Sequence, residues 1–536
     1  MPDGDLLVKE YEAIAAERGT WENTWQNVAD HVIGRGDFTT HTIEGGRQRV
    51  QQIYDSTAQQ SASLLAGGLN SLMTNPAAEW FHLRPEDPRL LEDDDVALWF
   101  EDAEMSMYST LNSPTARFHP QSHEVYLELV AYNTAGFFVD DVPGVGPLFS
   151  SRPLSELFIA EDAHGRVDTV FRAFRFTAKQ AVDAWGDGAP EAAKKALSKG
   201  DTQGKQRYLH MVKRATDPRP MPFRPSGRPW EAAFIDLERK EIIESGGYDE
   251  MPYMIPRWEK DASETYGRGP GITALSDAKM LNEMMKTMLQ SGQLRVAPPT
   301  MIDDDGVETT LDLRPRGRNV VRVGGALNPP IQPIEMGGDL GWGDWVVRDT
   351  RSQVQNAFHF ELLQLIRDPR MTATQVNELS TNVQRLLAPV LGRFQTEFLE
   401  PMLERTFNIK LRRGDFLPPP PLLAGGEIRI EYVSPVARAQ KAEDADAIVE
   451  LFTVGANLSQ VDPDVGMVMD GEEGFREIAR QKGVPFRVLR SRETVEQMRE
   501  AQRQQAIERQ ELERATQVAE TAAKVLPALN QAGGTQ

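Results

Sequence analysis

Tyr266–Gln293 reads YGRGPGITALSDAKMLNEMMKTMLQSGQ, and the way this stretch leaves and returns decides the architecture. Tyr266-Gly-Arg-Gly-Pro270 is a loop signal, with Pro270 placed as the first helical residue. From there Ala274, Ala278, Leu281, Met285 and Met288 recur at spacings of 4, 3, 4 and 3, one apolar stripe along a helix. The pattern predicts a stop near Gly292, ahead of Pro298-Pro299, and a length of about 33 Å. A return helix is expected after Gly341-Trp342-Gly343, with Asp344 as N-cap and Val347, Val354, Phe358, Leu362 and Leu365 as its stripe. A helical hairpin inside an ordinary core gives the same periodicity. The insert favours a hairpin that carries a small module on a stalk, because its residues are rich in turn formers and poor in core formers. Within it, Thr300-Met301-Ile302 and Val307–Leu313 flank Asp303-Asp304-Asp305-Gly306, which predicts a hairpin with an Asp-Gly turn. Asn319–Val323 predicts a further strand, and Pro329, Pro330 and Pro333 lead the chain back.

Toward the N-terminus, residues 5–33 read as helix broken near Gly19, and residues 33–46 as loop. Asp55-Ser56-Thr57 opens a helix through Leu64, Leu65, Leu69 and Leu72 that ends at Asn75-Pro76. Trp80–Leu83 is a short extended piece. Asp93–Leu111 and His123–Ala135 are helical, the latter ending at Gly136. The period then changes. Pro153–Ala160, Arg166–Phe176, Tyr208–Arg214, Trp230–Leu237, Glu241–Ser245 and Tyr253–Trp258 read as strands, with a short helix over Thr177–Trp185. Residues 1–265 are thus an α+β unit, helices first and then a mostly antiparallel sheet. Beyond the return helix, Arg367–Met371 is a short loop and Thr372-Ala-Thr-Gln375 a capping box. The helix that follows kinks at Pro389 and continues through Phe394, Phe398 and Met402. Four prolines (418–421) form a stiff connector and Glu427–Val433 a strand; from Ala437 the chain is helical and charged, and its Gln/Arg/Glu-rich tail reads as either a solvated long helix or a partly disordered segment.

A chain of 536 residues, 40% apolar, can hold three or four domain-sized cores. Its net charge of −21 argues against a protein that grips nucleic acid with a basic face. Without cysteine it has no disulfide framework, thiol chemistry or cysteine-held metal. No apolar run of about 18 residues is present, and the N-terminus lacks the basic and apolar parts of a signal peptide, so no membrane partner is expected.

The motifs that could carry chemistry fall away one by one. Gly267-x-Gly269-x-Gly271 follows no buried strand and lacks the Gly-Lys-Ser/Thr ending of a phosphate loop. Gly200–Lys205 is one residue short of that loop and reads as a polar turn. His119 and His123 have the spacing of a metal pair, but Pro120 lies between them and no third ligand is evident. Asp303–Asp305 misses the alternate spacing of a calcium loop, and no Gly-x-Ser-x-Gly elbow occurs. No catalytic residue, metal or cofactor is expected.

An ordered series of short motifs resembles the portal, or head-to-tail connector, proteins of short-tailed bacteriophages. It begins with Tyr54-Asp-Ser-Thr57 leading into Leu64-Leu-Ala-Gly-Gly-Leu69 and Trp80-Phe-x-Leu83. It continues with Tyr132-Asn-Thr-Ala-Gly136, Pro256-Arg-Trp258, Tyr266–Pro270 and Leu281-Asn282. It closes with Thr372-Ala-Thr-Gln375, where the family often has Glu at the last position, and Ser434-Pro-Val-Ala-Arg-Ala-Gln440. The matches span roughly residues 54–440.

The resemblance implies a portal fold assembled as a ring, typically of twelve copies, at one capsid vertex. Its parts would be an α+β wing (1–265 and 372–435), stem helices (266–293 and 344–366), a small β clip (294–343), a channel loop (367–371) and a helical crown (436–536). It implies a conduit for genome packaging and ejection that joins head to tail, found in the virion and assembled in the host cytoplasm. Double-stranded DNA would pass through it without sequence preference. Further partners would be the terminase packaging motor, a tail adaptor, and the major capsid and scaffolding proteins. Twelve helices side by side would leave an opening of about 28 Å, wide enough for a duplex about 20 Å across. In that frame Arg367, Arg370, Lys279 and Lys286 are the candidate channel residues. Met284, Met285, Met288, Val354 and Phe358 are expected to expose apolar surface for subunit contact. Asp303, Asp304, Asp305, Arg314, Arg316 and Arg318 are candidates for adaptor binding. The alternatives are a DNA-processing packaging enzyme (a nuclease or hydrolase), which would need a carboxylate cluster or phosphate loop, and a monomeric helical scaffold.

Overall fold

The computed structural model describes residues 4–34, 38, 53–215, 227–303, 312–321, 331–334, 340–360, 387–423, 428–432, 435–459, 462, 464, 468–482, 484 and 488–532. These residues divide into two compact units. One holds residues up to Trp80 and Met107–Asp415; the other holds Phe81–Ser106 and the chain from Phe416 on.

The chain opens with α1 (Gly4–Val28), α2 (Thr57–Met73), strand β1 (Phe81–Pro85), α3 (Asp94–Asn112) and α4 (Phe118–Tyr132). The break expected at Gly19 does not occur. A Cβ there would meet nothing within 4 Å, so Gly19 sits on the open side of a continuous helix. Leu7, Val8 and Tyr11 mark the buried side, and they pack on Phe158, Phe171, Leu209, Met211 and Ile235 of the main sheet.

That sheet is five-stranded and antiparallel, in chain order: β4 (Leu157–Glu161), β5 (Val167–Thr177), β6 (Lys205–Arg214), β7 (Trp230–Asp236) and β8 (Glu241–Tyr248). Strand β5 lacks a clean alternation for a physical reason: both its faces are covered. Phe171 and Ala173 meet α1, whereas Phe174 packs with Tyr208, Ala181 and Ala193 under α5 (Ala178–Trp185) and α6 (Glu191–Ser198). Helix α5 starts on a full capping box, Thr177 and Gln180.

A second sheet joins β2 (Gly136–Val142), β3 (Gly146–Arg152) and β9 (Tyr253–Met254) in the order β3-β2-β9. The β2–β3 hairpin has no counterpart in the sequence reading. Its turn depends on Gly144 and Gly146, at φ of +79° and +100°, where only glycine is unstrained. Phe137 of β2 meets Phe398, whose helical segment (387–394, then a π turn over Gln395–Leu399) runs into α10 (Glu400–Arg413). Arg405 of α10 is buried and donates to the carbonyl of Val139 at 2.9 Å.

In the other unit β1 pairs antiparallel with β13 (Ile428–Tyr432), Leu83 opposite Ile430. Glu104 secures β1 by accepting from the Leu83 amide at 2.8 Å and meeting His82 Nδ1 at 3.0 Å. The chain ends in α11 (Pro435–Leu458), α12 (Gly471–Gln481, capped by Asp470) and α13 (Arg492–Ala532). At 41 residues α13 is about 60 Å long, and residues 496–516 on it are exposed.

Candidate functional site

The hairpin begins at a loop that only glycine permits. Asn133 ends α4 in the left-handed conformation, φ +63°, with its side chain turned back on the helix's last carbonyls. The Tyr266–Gly271 loop lies directly on this end. A Cβ on Gly267 would come within 2.2 Å of the Asn133 carbonyl oxygen, one on Gly269 within 2.6 Å of the Trp258 ring, and one on Gly271 within 1.9 Å of the Ala131 carbonyl oxygen. The Gly-x-Gly-x-Gly pattern is therefore a packing device that lets backbone lie on backbone. Gly267 N–H donates to Thr134 Oγ1 at 2.8 Å, and Glu259 and Arg268 exchange backbone bonds at 3.0 and 2.8 Å.

Beneath the loop lies Arg257, 2% exposed. Its guanidinium donates to both oxygens of Glu397 at 2.7 and 3.2 Å, to Glu161, and to the carbonyls of Thr265 (3.1 Å) and Gly165 (3.2 Å). Burial opposes its charge, but the bonds from Glu397 and Glu161 outweigh that and raise its pKa. Lys260 joins Glu161 at 2.7 Å and Arg393 joins Glu397 at 3.4 Å. This network ties the loop before the hairpin to the main sheet and to the helical segment that follows the hairpin in sequence.

The first helix is a short turn, α7 (Pro270–Thr273), followed by α8 (Leu275–Val296). Pro270 is its first residue, as expected. The expected stop at Gly292 does not occur, since a Cβ there would meet nothing and the glycine is tolerated. The helix ends instead just before Ala297, which precedes Pro298 and is disfavoured in the helical region. The return helix α9 spans Leu340–Ala357, so Gly341-Trp342-Gly343 form its first turn. Asp344 is not the N-cap and pairs with Arg348 at 2.7 Å instead. His359 takes a left-handed φ of +53° after α9, and Leu362 and Leu365 lie outside the described residues.

The Tyr54-Asp55 motif clamps both helices. Tyr54 N–H donates to Asn282 Oδ1 on α8 at 2.6 Å. Asp55 accepts from Arg351 of α9 at 2.8 and 2.9 Å and from the Thr57 amide at 2.9 Å.

The insert forms a three-stranded sheet: β10 (Thr300–Asp303) lies between β11 (Arg318–Val321) and β12 (Ile331–Pro333). The pairing corrects the expected hairpin. Strand β10 pairs parallel with β11 and antiparallel with β12, so both its edges are taken, and Asp312 and Leu313 are coil. Residues 304–311 lie outside the described residues. Asn319 of β11 holds the preceding coil: it is buried, its side chain donates to the Asp312 carbonyl at 2.9 Å, and it accepts from the Asp312 amide.

The candidate residues distribute as follows. Lys279 and Lys286 are half-buried on α8, and Lys286 pairs with Glu283 at 3.2 Å. Met284, Met285 and Met288 are half-buried. Val354 and Phe358, expected to expose apolar surface, are fully buried in the single chain. Val354 lies on the side of α9 that turns inward with Val347 and Phe358 directly follows the helix, so the chain covers both itself. Arg314, Arg316 and Arg318 are exposed on the insert; Arg314 pairs with Asp312 at 2.9 Å, and Arg316 has a φ of +64°. Asp303 ends β10. Asp304, Asp305, Arg367, Arg370, Thr372 and Gln375 lie outside the described residues. Half-buried His119 meets Asn112 Oδ1 through Nε2 at 2.7 Å. Among the described residues no group of three or more His, Asp or Glu side chains is arranged to hold a metal, and no helix is long and apolar enough to cross a membrane.

The Tyr54-Asp55 clamp and the Arg257 network thus tie a helical hairpin, whose insert forms a three-stranded sheet, to the α+β body. The chain belongs to the bacteriophage head to tail connecting protein family, whose model matches residues 5–489. A probable portal protein of Bordetella phage BPP-1 is 25% identical over 530 residues, covering 97% of this chain and 95% of that one. The portal protein of Salmonella phage epsilon15 is 25% identical over 523 residues, covering 94% and 91%. Among solved structures, the neck of an empty GTA particle computed with C6 symmetry matches 79% of this chain and 94% of that chain, at 11% identity and a TM-score of 0.37. A likeness that loose carries no residue-level argument.

Proposed function

We propose that this chain is a phage portal protein whose copies form a ring at one capsid vertex, the conduit through which DNA is packaged and ejected. The family match over residues 5–489 carries this reading. The hairpin with its projecting sheet supports it: α8 and α9 serve as the stem, β10–β12 as the clip, the α+β body as the wing, and the helices after 435 as the crown. Twelve copies are the expected number. The role is structural, without a catalytic step, and the packing role of Gly267–Gly271 removes one motif that an enzyme reading would use. At −21 per copy the ring is strongly acidic, which suits a duplex that must slide rather than bind.

Arg367 and Arg370 are the proposed exception, basic rings that touch phosphates of the passing duplex without reading its sequence. Lys279 and Lys286 are proposed to add weaker ones, since Lys286 already has a carboxylate partner. The packaging motor and then a tail adaptor would dock at the clip through Arg314, Arg316, Arg318 and Asp303–Asp305. Major capsid and scaffolding proteins would surround the wing, with assembly in the host cytoplasm.

Native mass measurement tests the assembly: rings of about twelve copies are expected, and a stable monomer at micromolar concentration sinks the reading. The double variant Arg367→Ala/Arg370→Ala should assemble normally and package or retain less DNA. Wild-type packaging and retention from normal rings would remove the loop's proposed role.

A further inference from the structure

The α8–α9 hairpin presents an apolar groove on one side and an exposed aromatic on the other. The groove has a volume of about 660 Å³ and is lined chiefly by Met285, Met288, Leu289, Val296, Pro315 and Val347. Gly343 and Val347 mark the side of α9 that turns toward it. A Cβ on Gly343 would lie 3.8 Å from Met288 Sδ, and Val347 is buried. Trp345 stands two residues from each of them, so it points about 200° round the helix, away from α8. It is 65% exposed, and Trp342, on the same outer side, is 67% exposed.

We propose that the groove of one copy receives Trp345 of the neighbouring copy. The inference rests on the ring reading and names a residue that makes the ring close. A projection and a recess on opposite sides of one element cannot pair with themselves about a two-fold axis. They pair head to tail, and such a contact closes a ring where its rotation divides a full turn evenly. The chemistry matches. Two thioethers in the groove adapt to an aromatic and favour contact with its edge, and tryptophan is the residue type most often found anchoring an interface. Asp344 lines the groove rim. Its ion pair with exposed Arg348 at 2.7 Å leaves carboxylate lone pairs to accept the indole N–H. A tryptophan buries about 150–250 Å², against about 800 Å² per partner in a stable interface. Trp345 is thus an anchor within a larger contact.

The chain contains no cysteine, so introduced thiols are the only ones present. Copies carrying Trp345→Cys are mixed with copies carrying Leu289→Cys before assembly and oxidised, and the double variant Trp345→Cys/Leu289→Cys is oxidised separately. Disulfide-linked pairs are expected in the mixture but in neither single variant alone, and a ladder of linked multimers in the double variant. Rings of normal mass without these links overturn the groove assignment and leave the ring reading standing. Parent protein that stays monomeric overturns the ring reading itself. A Leu289→Cys thiol already shielded from a maleimide in the monomer means that the chain's own residues fill the groove, which also overturns the proposal. Trp345→Ala, at an exposed site, should melt like the parent as a monomer and need a subunit concentration at least about tenfold higher to assemble. Assembly unchanged within about twofold overturns the proposal.

Discussion

Replacing Arg257 with methionine removes a cation that Glu161 and Glu397 share. Five side-chain hydrogen bonds vanish with the guanidinium, including both bonds to Glu397. The carboxylates cannot move into water, since they are only 16% and 19% exposed. Lys260 still holds Glu161 at 2.7 Å, and Arg393 holds Glu397 weakly at 3.4 Å. Breaking a buried pair from one side costs about 3–5 kcal/mol, and the surviving partners place Arg257→Met toward the lower end. For a folding unit this much larger than 250 residues about 1–1.5 °C of melting temperature follows each kcal/mol, so a loss of about 3–6 °C is expected. The companion variant Arg257→Met/Glu397→Gln removes one stranded charge and should recover part of the loss. Calorimetry on the unassembled protein at pH 7 measures both. A single variant melting within about 2 °C of the parent, or a double variant no better than the single, would refute the argument that the shared cation secures the hairpin's entry loop.

Glycine substitutions on the hairpin should differ in sign. Gly271→Ala forces a Cβ to 1.9 Å from the Ala131 carbonyl oxygen and should cost about 2–4 kcal/mol, whereas Gly292→Ala meets nothing within 4 Å and should add about 0.5–1 kcal/mol. Equal melting temperatures for the two would contradict the packing role of the glycine loop. Asp55→Ala should cost about 1–2 kcal/mol, discounted because Arg351 remains 39% exposed. Its effect should appear as faster amide exchange over residues 340–357 with the five-stranded sheet unchanged, and uniform acceleration would argue against a local clamp. His210 is stacked on Phe234 and its pKa is pushed down to about 3, first by burial and then by Arg172 and Arg152. The folded chain therefore refuses a proton that the unfolded chain takes near pH 6.5, so stability falls with pH in that window, by about 2 kcal/mol from pH 7 to 5. His210→Phe should abolish that share of the acid loss, and an unchanged drop between melts at pH 7 and pH 5 would refute it.

What could be read along the chain was whatever depends on residues a few positions apart. The stripe of α8, Pro270 as a first helical residue, the short helix from Thr177, the strand character of β5–β8, and the order of motifs that marks a head-to-tail connector all belong here. Each is a matter of period, a cap or a turn, and local backbone chemistry sets it. The same local view misjudged Gly19, Gly292 and the Gly341–Gly343 turn, because a glycine breaks a helix only if its surroundings allow a better alternative.

Burial and partnership were decided by tertiary structure. Arg257 finds Glu161 96 residues away and Glu397 140 residues away, and Asp55 finds Arg351 across 296. The Gly267–Gly271 pattern acquired its meaning only when the end of α4 was laid against it. Strand β10 took β11 and β12 as its partners, both from residues farther along the chain, which an Asp-Gly pair cannot foretell. The amphipathic stripe of α9 marks residues to be covered without saying by what. The fold covers Val354 and Phe358 within the chain and leaves Trp345 outside it, because which side of a helix meets its own chain is set by the element packed beside it.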